Sequence, residues 1–87
     1  RVYVEEQDAG LTQNEFRLLS LLGKYAGKVL TYDFMMKEIW GPNMKGDNRI
    51  LRVNMANIRR KIEKNPGQPQ FIFTEVGVGY RIIETDS

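Results

Sequence analysis

The stretch ILRVNMANIRRKIEK, residues 50–64, decides how this 87-residue chain is read. At about 100° per residue, a helix gathers Leu51, Met55, Ile58 and Ile62 into a sector about 60° wide. That apolar sector predicts a buried face. The opposite sector holds Arg49, Val53, Ala56, Asn57, Arg60 and Lys64. Arg52 and Arg59 flank the apolar stripe on one side, Asn54 and Lys61 on the other. Segment 49–64 carries six basic residues against the single acid Glu63, so it is +5. The chain totals +2, which leaves −3 for everything else. The positive charge is therefore concentrated locally.

Such a face is either a solvated surface or one built for a polyanion. A solvated helix ordinarily mixes signs to gain i,i+4 pairs. Here the bases have almost no acid to meet, and their mutual repulsion is relieved only by a negatively charged partner. The residue types suit a DNA groove. Arginine can grip guanine or phosphate in two-pronged fashion, asparagine can do so with adenine, and an exposed valine can pack on a thymine methyl. A helix about 10–12 Å across also fits a major groove about 12 Å wide.

The flanking segments frame this helix. Thr12 and Glu15 have the spacing of a capping box, with Leu11 and Phe16 placed as a hydrophobic staple. Phe16, Leu19 and Leu22 then recur at helical spacing, widened by Leu18, Leu21 and Tyr25, and Gly27 is the expected stop. Thr31 caps a second helix, and Leu30 with Met35 can staple it. Met35, Met36, Ile39 and Trp40 supply its buried face, and Gly41-Pro42 ends it. The short KVL link makes the two helices pack at an angle. The loop GPNMKGD, residues 41–47, ends at Asp47, the expected cap of the third helix. That helix runs to about Asn65, where Pro66 and the NPGQP turn stop it. FIFTEV, GVG and YRII read as a β-hairpin. Residues 1–5 predict a short strand, and DAG at 8–10 a turn.

The remaining composition is chiefly exclusive. The length suffices for one small domain with a modest core. With no cysteine and no histidine, disulfides, thiolate and imidazole catalysis and Cys/His zinc sites are ruled out. No cofactor or metal is expected. Absence of cysteine fits a reducing compartment. No apolar run approaches the ~20 residues of a membrane span, and no signal-peptide pattern opens the chain. The start RVYVEEQDAG, without an initiator Met, reads as an internal cut, so one domain of a longer protein is expected. Glu5, Glu6 and Asp8 cluster without a basic or metal-binding partner. GVG lacks the length and the lysine of a phosphate-cradling loop. Catalysis is therefore not expected.

Four segments in order, LTQNEFRLLSLL, GKVLTYDFMMKEIWG, VNMANIRRKIE and TEVGVGYRI, resemble the OmpR/PhoB-type winged-helix effector domain of bacterial two-component response regulators. The resemblance covers roughly residues 11–83. The WGPN loop, the NMANIRRKIE helix and the NPGQPQFI turn are most similar to the potassium-responsive branch of that family, which implies potassium-transport genes as targets. The implied fold is α+β, a winged helix-turn-helix. It has an N-terminal antiparallel sheet (here truncated), three helices and a C-terminal β-hairpin wing. The implied function is sequence-specific binding of double-stranded DNA, with a recognition helix at 48–64 in the major groove and the hairpin 71–83 on adjacent backbone. A receiver domain, absent from this chain, would be phosphorylated by a sensor kinase and dimerise. Two effector domains would then occupy tandem half-sites and engage RNA polymerase in the cytoplasm. The isolated domain is expected to be a monomer, because no long apolar face is left over.

Carried residue by residue, the resemblance makes Val53, Asn54 and Asn57 base-facing. It makes Arg49, Arg52, Arg59, Arg60 and Lys64 phosphate or base contacts. Arg59 lies near the core stripe, so its stem can run along the core edge while its head reaches a phosphate. Pro42, Asn43, Met44 and Lys45 form either a polymerase-contact loop or a plain solvent loop. Many family members carry an arginine just before the wing glycine, where this chain has Val76. Its wing is therefore expected to touch phosphates only, through Thr74 or Tyr80. Tyr80 also reads as a core aromatic with its hydroxyl at the edge. Arg81 is either a phosphate contact or an ordinary surface arginine. The alternative function is a winged-helix protein-docking module, since fold alone does not decide function. Such a module needs aromatic or Leu/Met anchors on the outer face of the third helix, where this chain has arginine, lysine and asparagine. RNA binding would need an aromatic cluster for base stacking, which is also missing.

Overall fold

The computed structural model describes residues 10–44 and 46–84. The elements are α1 (Gln13–Lys24), β1 (Leu30–Thr31), α2 (Tyr32–Trp40), α3 (Arg49–Ile62), β2 (Ile72–Glu75) and β3 (Gly79–Ile82). The strand expected at residues 1–5, most of the turn at 8–10, and the Glu5, Glu6 and Asp8 cluster lie outside the described residues.

The start of α1 is set by its capping box. Thr12 Oγ1 accepts the Glu15 N–H at 3.2 Å, and Glu15 Oε1 accepts the Thr12 N–H at 3.0 Å. The buried stripe is Glu15, Leu18, Leu19 and Leu22. Phe16 departs from expectation: it is exposed and lines an open groove with Leu21 and Ile39. Glu15 occupies the inward place, and Phe16 sits a further ~100° around the helix. Thr31 starts α2 by accepting the Phe34 N–H at 3.1 Å. Met35 and Met36 are fully buried. Gly41, at φ +113°, ends the helix in a conformation that disfavours any side chain.

The KVL link holds an element that the sequence reading missed. Leu30 and Thr31 pair with Tyr80 and Gly79 of β3, making an antiparallel three-stranded sheet of order β1–β3–β2. Two residues carry no alternation to detect. The pairing depends on Gly79, where an added Cβ would lie 1.8 Å from the Leu30 carbonyl oxygen.

The third helix buries Leu51, Met55 and Ile58 against α1, α2 and the sheet, with Ile72 and Ile82 beneath it. Two boundary expectations need correction. Asn48, not Asp47, is the N-cap, and its side chain makes no capping bond. Asp47 acts one residue further out, accepting the Arg49 N–H at 3.0 Å. The helix also ends at Ile62, before Pro66 is reached. Glu63 causes this early stop. Its carboxylate turns back to accept the N–H groups of Gln70 at 2.8 Å, Phe71 at 3.0 Å and Ile72 at 2.8 Å. A negative charge at a helix C-terminus is disfavoured by roughly 0.3–1 kcal/mol. Three amide donors outweigh that. Glu63 therefore ties the end of α3 to the start of β2.

Candidate nucleic-acid interface

The outer face of α3 is open. Arg49, Arg52, Val53, Ala56, Arg60 and the following Lys64 are exposed. Val53 is 59% exposed despite being apolar, so the fold itself gives it little to pack on. The expected base-facing asparagines are half-buried and occupied. Asn54 Nδ2 donates to the Ile50 carbonyl at 2.8 Å, back along its own helix. Asn57 Oδ1 accepts from Arg60 Nη2. Each bond occupies one of the four hydrogen-bonding sites of its amide, which leaves a donor and an acceptor for a base edge. Arg49 is also engaged, gripping the Asp47 carboxylate through Nε at 3.1 Å and Nη2 at 2.7 Å. The guanidinium holds the Asp47 carboxyl well below the usual range, at about 2. The same pairing raises the pKa of Arg49. Both groups are exposed, so a phosphate can replace the carboxylate.

One flank of α3 faces the hairpin. Arg59 lies there, with its guanidinium carbon 5.4 Å from the Tyr80 ring centroid. Its Nη2 donates to the Ile72 carbonyl at 3.2 Å and to Thr74 Oγ1 at 2.6 Å. Its Nε is buried with no hydrogen-bond partner among the described residues. The register pairs Ile72 with Ile82 and Thr74 with Tyr80, so these four side chains share the inner hairpin face. Tyr80 is buried there, as its core reading requires. Burial first, then Tyr32, raises the pKa of its hydroxyl, with Arg59 opposing. Phe73, Glu75 and Arg81 alternate to the outer face. Arg81 lies 4.9 Å from the Phe73 ring centroid, with its Nε 3.4 Å from Glu75 Oε2. The structure therefore brings Thr74 to the α3 surface and turns Arg81 away from it.

The other flank meets α1. Lys61 Nζ lies 2.6 Å from Glu15 Oε1, and Glu15 is only 2% exposed. Burial alone would raise the Glu15 carboxyl pKa. The Lys61 ammonium and the Thr12 amide, with a contribution from Asn57, outweigh it and hold the pKa below its ordinary value. Glu15 is legible in the sequence as a cap; its bond to Lys61, 46 residues away, is not. Glu63 is likewise legible only as the lone acid of segment 49–64; its three amide partners at 70–72 are not. In the 42–45 loop, Pro42 and Asn43 are exposed, Met44 packs against the core, and Lys45 lies outside the described residues. The wing turn carries Val76, 90% exposed, next to Gly77 at φ +77°. No helix among the described residues is long and apolar enough to cross a membrane.

Residues 6–82 match the family described as "Transcriptional regulatory protein, C terminal". The chain belongs to this family. Its members among known proteins place it with the OmpR/PhoB-type DNA-binding domains of response regulators. The chain is 42% identical over 78 residues to the KDP operon transcriptional regulatory protein KdpE of Escherichia coli, covering 90% of this chain and 35% of that protein. It is 40% identical over 82 residues to the alkaline phosphatase synthesis transcriptional regulatory protein PhoP of Bacillus subtilis, covering 94% of this chain and 34% of that protein. It thus spans about a third of the length of the curated relatives it matches. Among solved structures, it is similar to the Thermotoga maritima response regulator DrrB, an OmpR/PhoB homologue. That match has a TM-score of 0.76 and 32% identity over 85% of this chain and 33% of DrrB. It is also similar to the Klebsiella pneumoniae RstA DNA-binding domain in complex with the RstA box. Here the TM-score is 0.77 with 27% identity over 84% of this chain and 72% of that DNA-binding-domain chain. The three helices and antiparallel hairpin are those of an OmpR/PhoB winged helix, a fold class that the sequence already carried. DNA is the partner that family membership implies.

Proposed function

We propose that this chain binds double-stranded DNA sequence-specifically, with α3 in the major groove and the hairpin on the neighbouring backbone. The observation that carries this reading is the continuous exposed face of Arg52, Val53, Ala56 and Arg60, which the fold leaves uncovered. Arg49, Arg52, Arg60 and Lys64 take phosphates or guanine edges. Val53 meets a thymine methyl, and Asn54 and Asn57 read bases through the amide sites not used on Ile50 and Arg60. Thr74 takes a phosphate. Arg81 does so only on leaving Glu75, and Pro42 to Lys45 form the surface for RNA polymerase.

The wider reading makes residues 1–87 one winged-helix effector domain of a longer cytoplasmic regulator. A receiver domain, phosphorylated by a sensor kinase, dimerises that regulator on tandem half-sites, while the chain alone is monomeric. Potassium-transport genes are the proposed targets, supported by the likeness to KdpE. The nearly equal likeness to PhoP makes operator choice the deciding measurement. Selection from random duplexes, followed by salt titration on the winning site, tests the reading. It should enrich one half-site, with log affinity falling linearly against log salt by about 0.9 per phosphate contacted. Failure to enrich any sequence over random duplex refutes sequence-specific binding.

A further inference from the structure

Arg59 has the charge of a DNA contact, but its Nη2 is already committed within the fold. Its guanidinium is stacked against Tyr80, bonded to the Ile72 carbonyl, and bonded to Thr74 Oγ1 at 2.6 Å. A threonine hydroxyl has one hydrogen to donate and two lone pairs. Because Oγ1 accepts from Arg59, its hydrogen must point elsewhere. Thr74 is exposed and lies on the hairpin face that flanks the cationic side of α3. A hydroxyl that accepts from a cation is polarised into a stronger donor. Among the described residues no carboxylate shares this bond: Glu75 is on the opposite face of the strand, bonded to Arg81.

We propose that Arg59 is a positioning residue that acts on DNA through Thr74, polarising its hydroxyl to donate to one backbone phosphate without itself touching the duplex. The inference rests on the DNA-binding reading above and assigns the division of labour within it. The Ile72 bond and the Tyr80 stack fix the guanidinium, and the guanidinium fixes the hydroxyl. The hairpin thus presents its phosphate contact at a set distance from α3. A wing that carries Val76 before its glycine in place of an arginine keeps a cationic contribution by this indirect route.

The test uses the duplex selected by the wild-type chain, with single phosphates replaced in turn by uncharged methylphosphonates. One replacement should weaken wild-type binding about tenfold, the scale of a hydrogen bond to a charged group. Thr74→Val should weaken binding by the same factor and become insensitive to that replacement. Thr74→Ser, which keeps the hydroxyl, should stay within about threefold. In an Arg59→Met background, Thr74→Val should cost less than about twofold, because the polarising cation is already gone. If Arg59→Met does not fold, the Arg59 guanidinium 15N resonances serve instead. They should shift on DNA binding in the wild type and not in Thr74→Val. Unchanged binding by Thr74→Val overturns the proposal. So do additive losses, or a Thr74→Val chain still sensitive at the same phosphate, which would put Arg59 itself on the DNA. A wild-type chain with no affinity for any duplex refutes the DNA-binding reading, and the relay with it.

Discussion

Replacing Glu63 by alanine should be among the most damaging single changes outside the apolar core. Its two carboxylate oxygens accept three backbone N–H groups, two of them on Oε2. The Ile72 N–H is buried, so stranding it costs about 2 kcal/mol. The Gln70 and Phe71 groups sit in a turn that water can reach, and losing their bonds costs about 0.5–1 kcal/mol each. Relief of the carboxylate from the C-terminus of α3 returns about 0.5 kcal/mol. The net loss is about 3 kcal/mol, a large share of the roughly 5–15 kcal/mol that holds a domain together. Glu63→Gln should cost only about 1 kcal/mol. Its amide oxygen can take the Oε2 position and keep Phe71 and Ile72, leaving its NH2 against the Gln70 N–H. Urea unfolding followed by Trp40 fluorescence reads this directly. At a slope of about 1 kcal/mol/M, the midpoint should fall by roughly 3 M for alanine and 1 M for glutamine. An alanine variant within 1 kcal/mol of wild type would refute the argument, as would a glutamine variant as unstable as alanine.

Four further expectations concern the α3 face, the sheet and the α1–α3 joint. Asn57→Ala should relax preference at one base pair by about 1–3 kcal/mol. Equal losses on selected and random duplex would remove Asn57 from base reading. Arg60→Ala should weaken binding to all duplexes and lower the salt slope by about one, and an unchanged slope would mean that it touches no phosphate. Gly79→Ala should part β1 from β3, because its Cβ would collide with the Leu30 backbone rather than with a movable side chain. A cost of about 3 kcal/mol is expected, and a near-neutral result in the urea assay would contradict the close approach. Acid should also loosen the α1–α3 joint. The folded pKa of Glu15 is lowered from its ordinary 4.5, so its contribution is complete above that value and is lost as pH falls through the folded one. Lys61→Met should flatten the acid limb of the stability curve; an identical limb would show that the pair is not its source.

Legibility varied with the range of the interaction. The Thr12–Glu15 box and the Thr31 cap are bonds between residues three apart, and both stand where the spacing put them. The apolar stripe Leu51, Met55 and Ile58 was likewise readable, because helical periodicity is a local property. The site residues divided along the same line. Arg49, Arg52, Val53, Arg60 and Lys64 are exposed as their angles require. Arg59 and Arg81 carry the same charge but are held by partners on the hairpin. The helical wheel places Arg59 only near the core stripe, and nothing in the strand sequence marks Arg81 as paired; their partners come from the fold.

By itself the sequence determined three helices, a hairpin and one cationic helical face, because caps, periodicity and charge act between near neighbours along the chain. Only the tertiary structure decided that Leu30–Thr31 is a strand, that Glu63 stops α3 by holding the start of β2, and that Arg59 serves the wing. Each of these depends on a backbone or hydroxyl group brought close by the fold. A two-residue strand, a carboxylate or a guanidinium has no partner until packing supplies one.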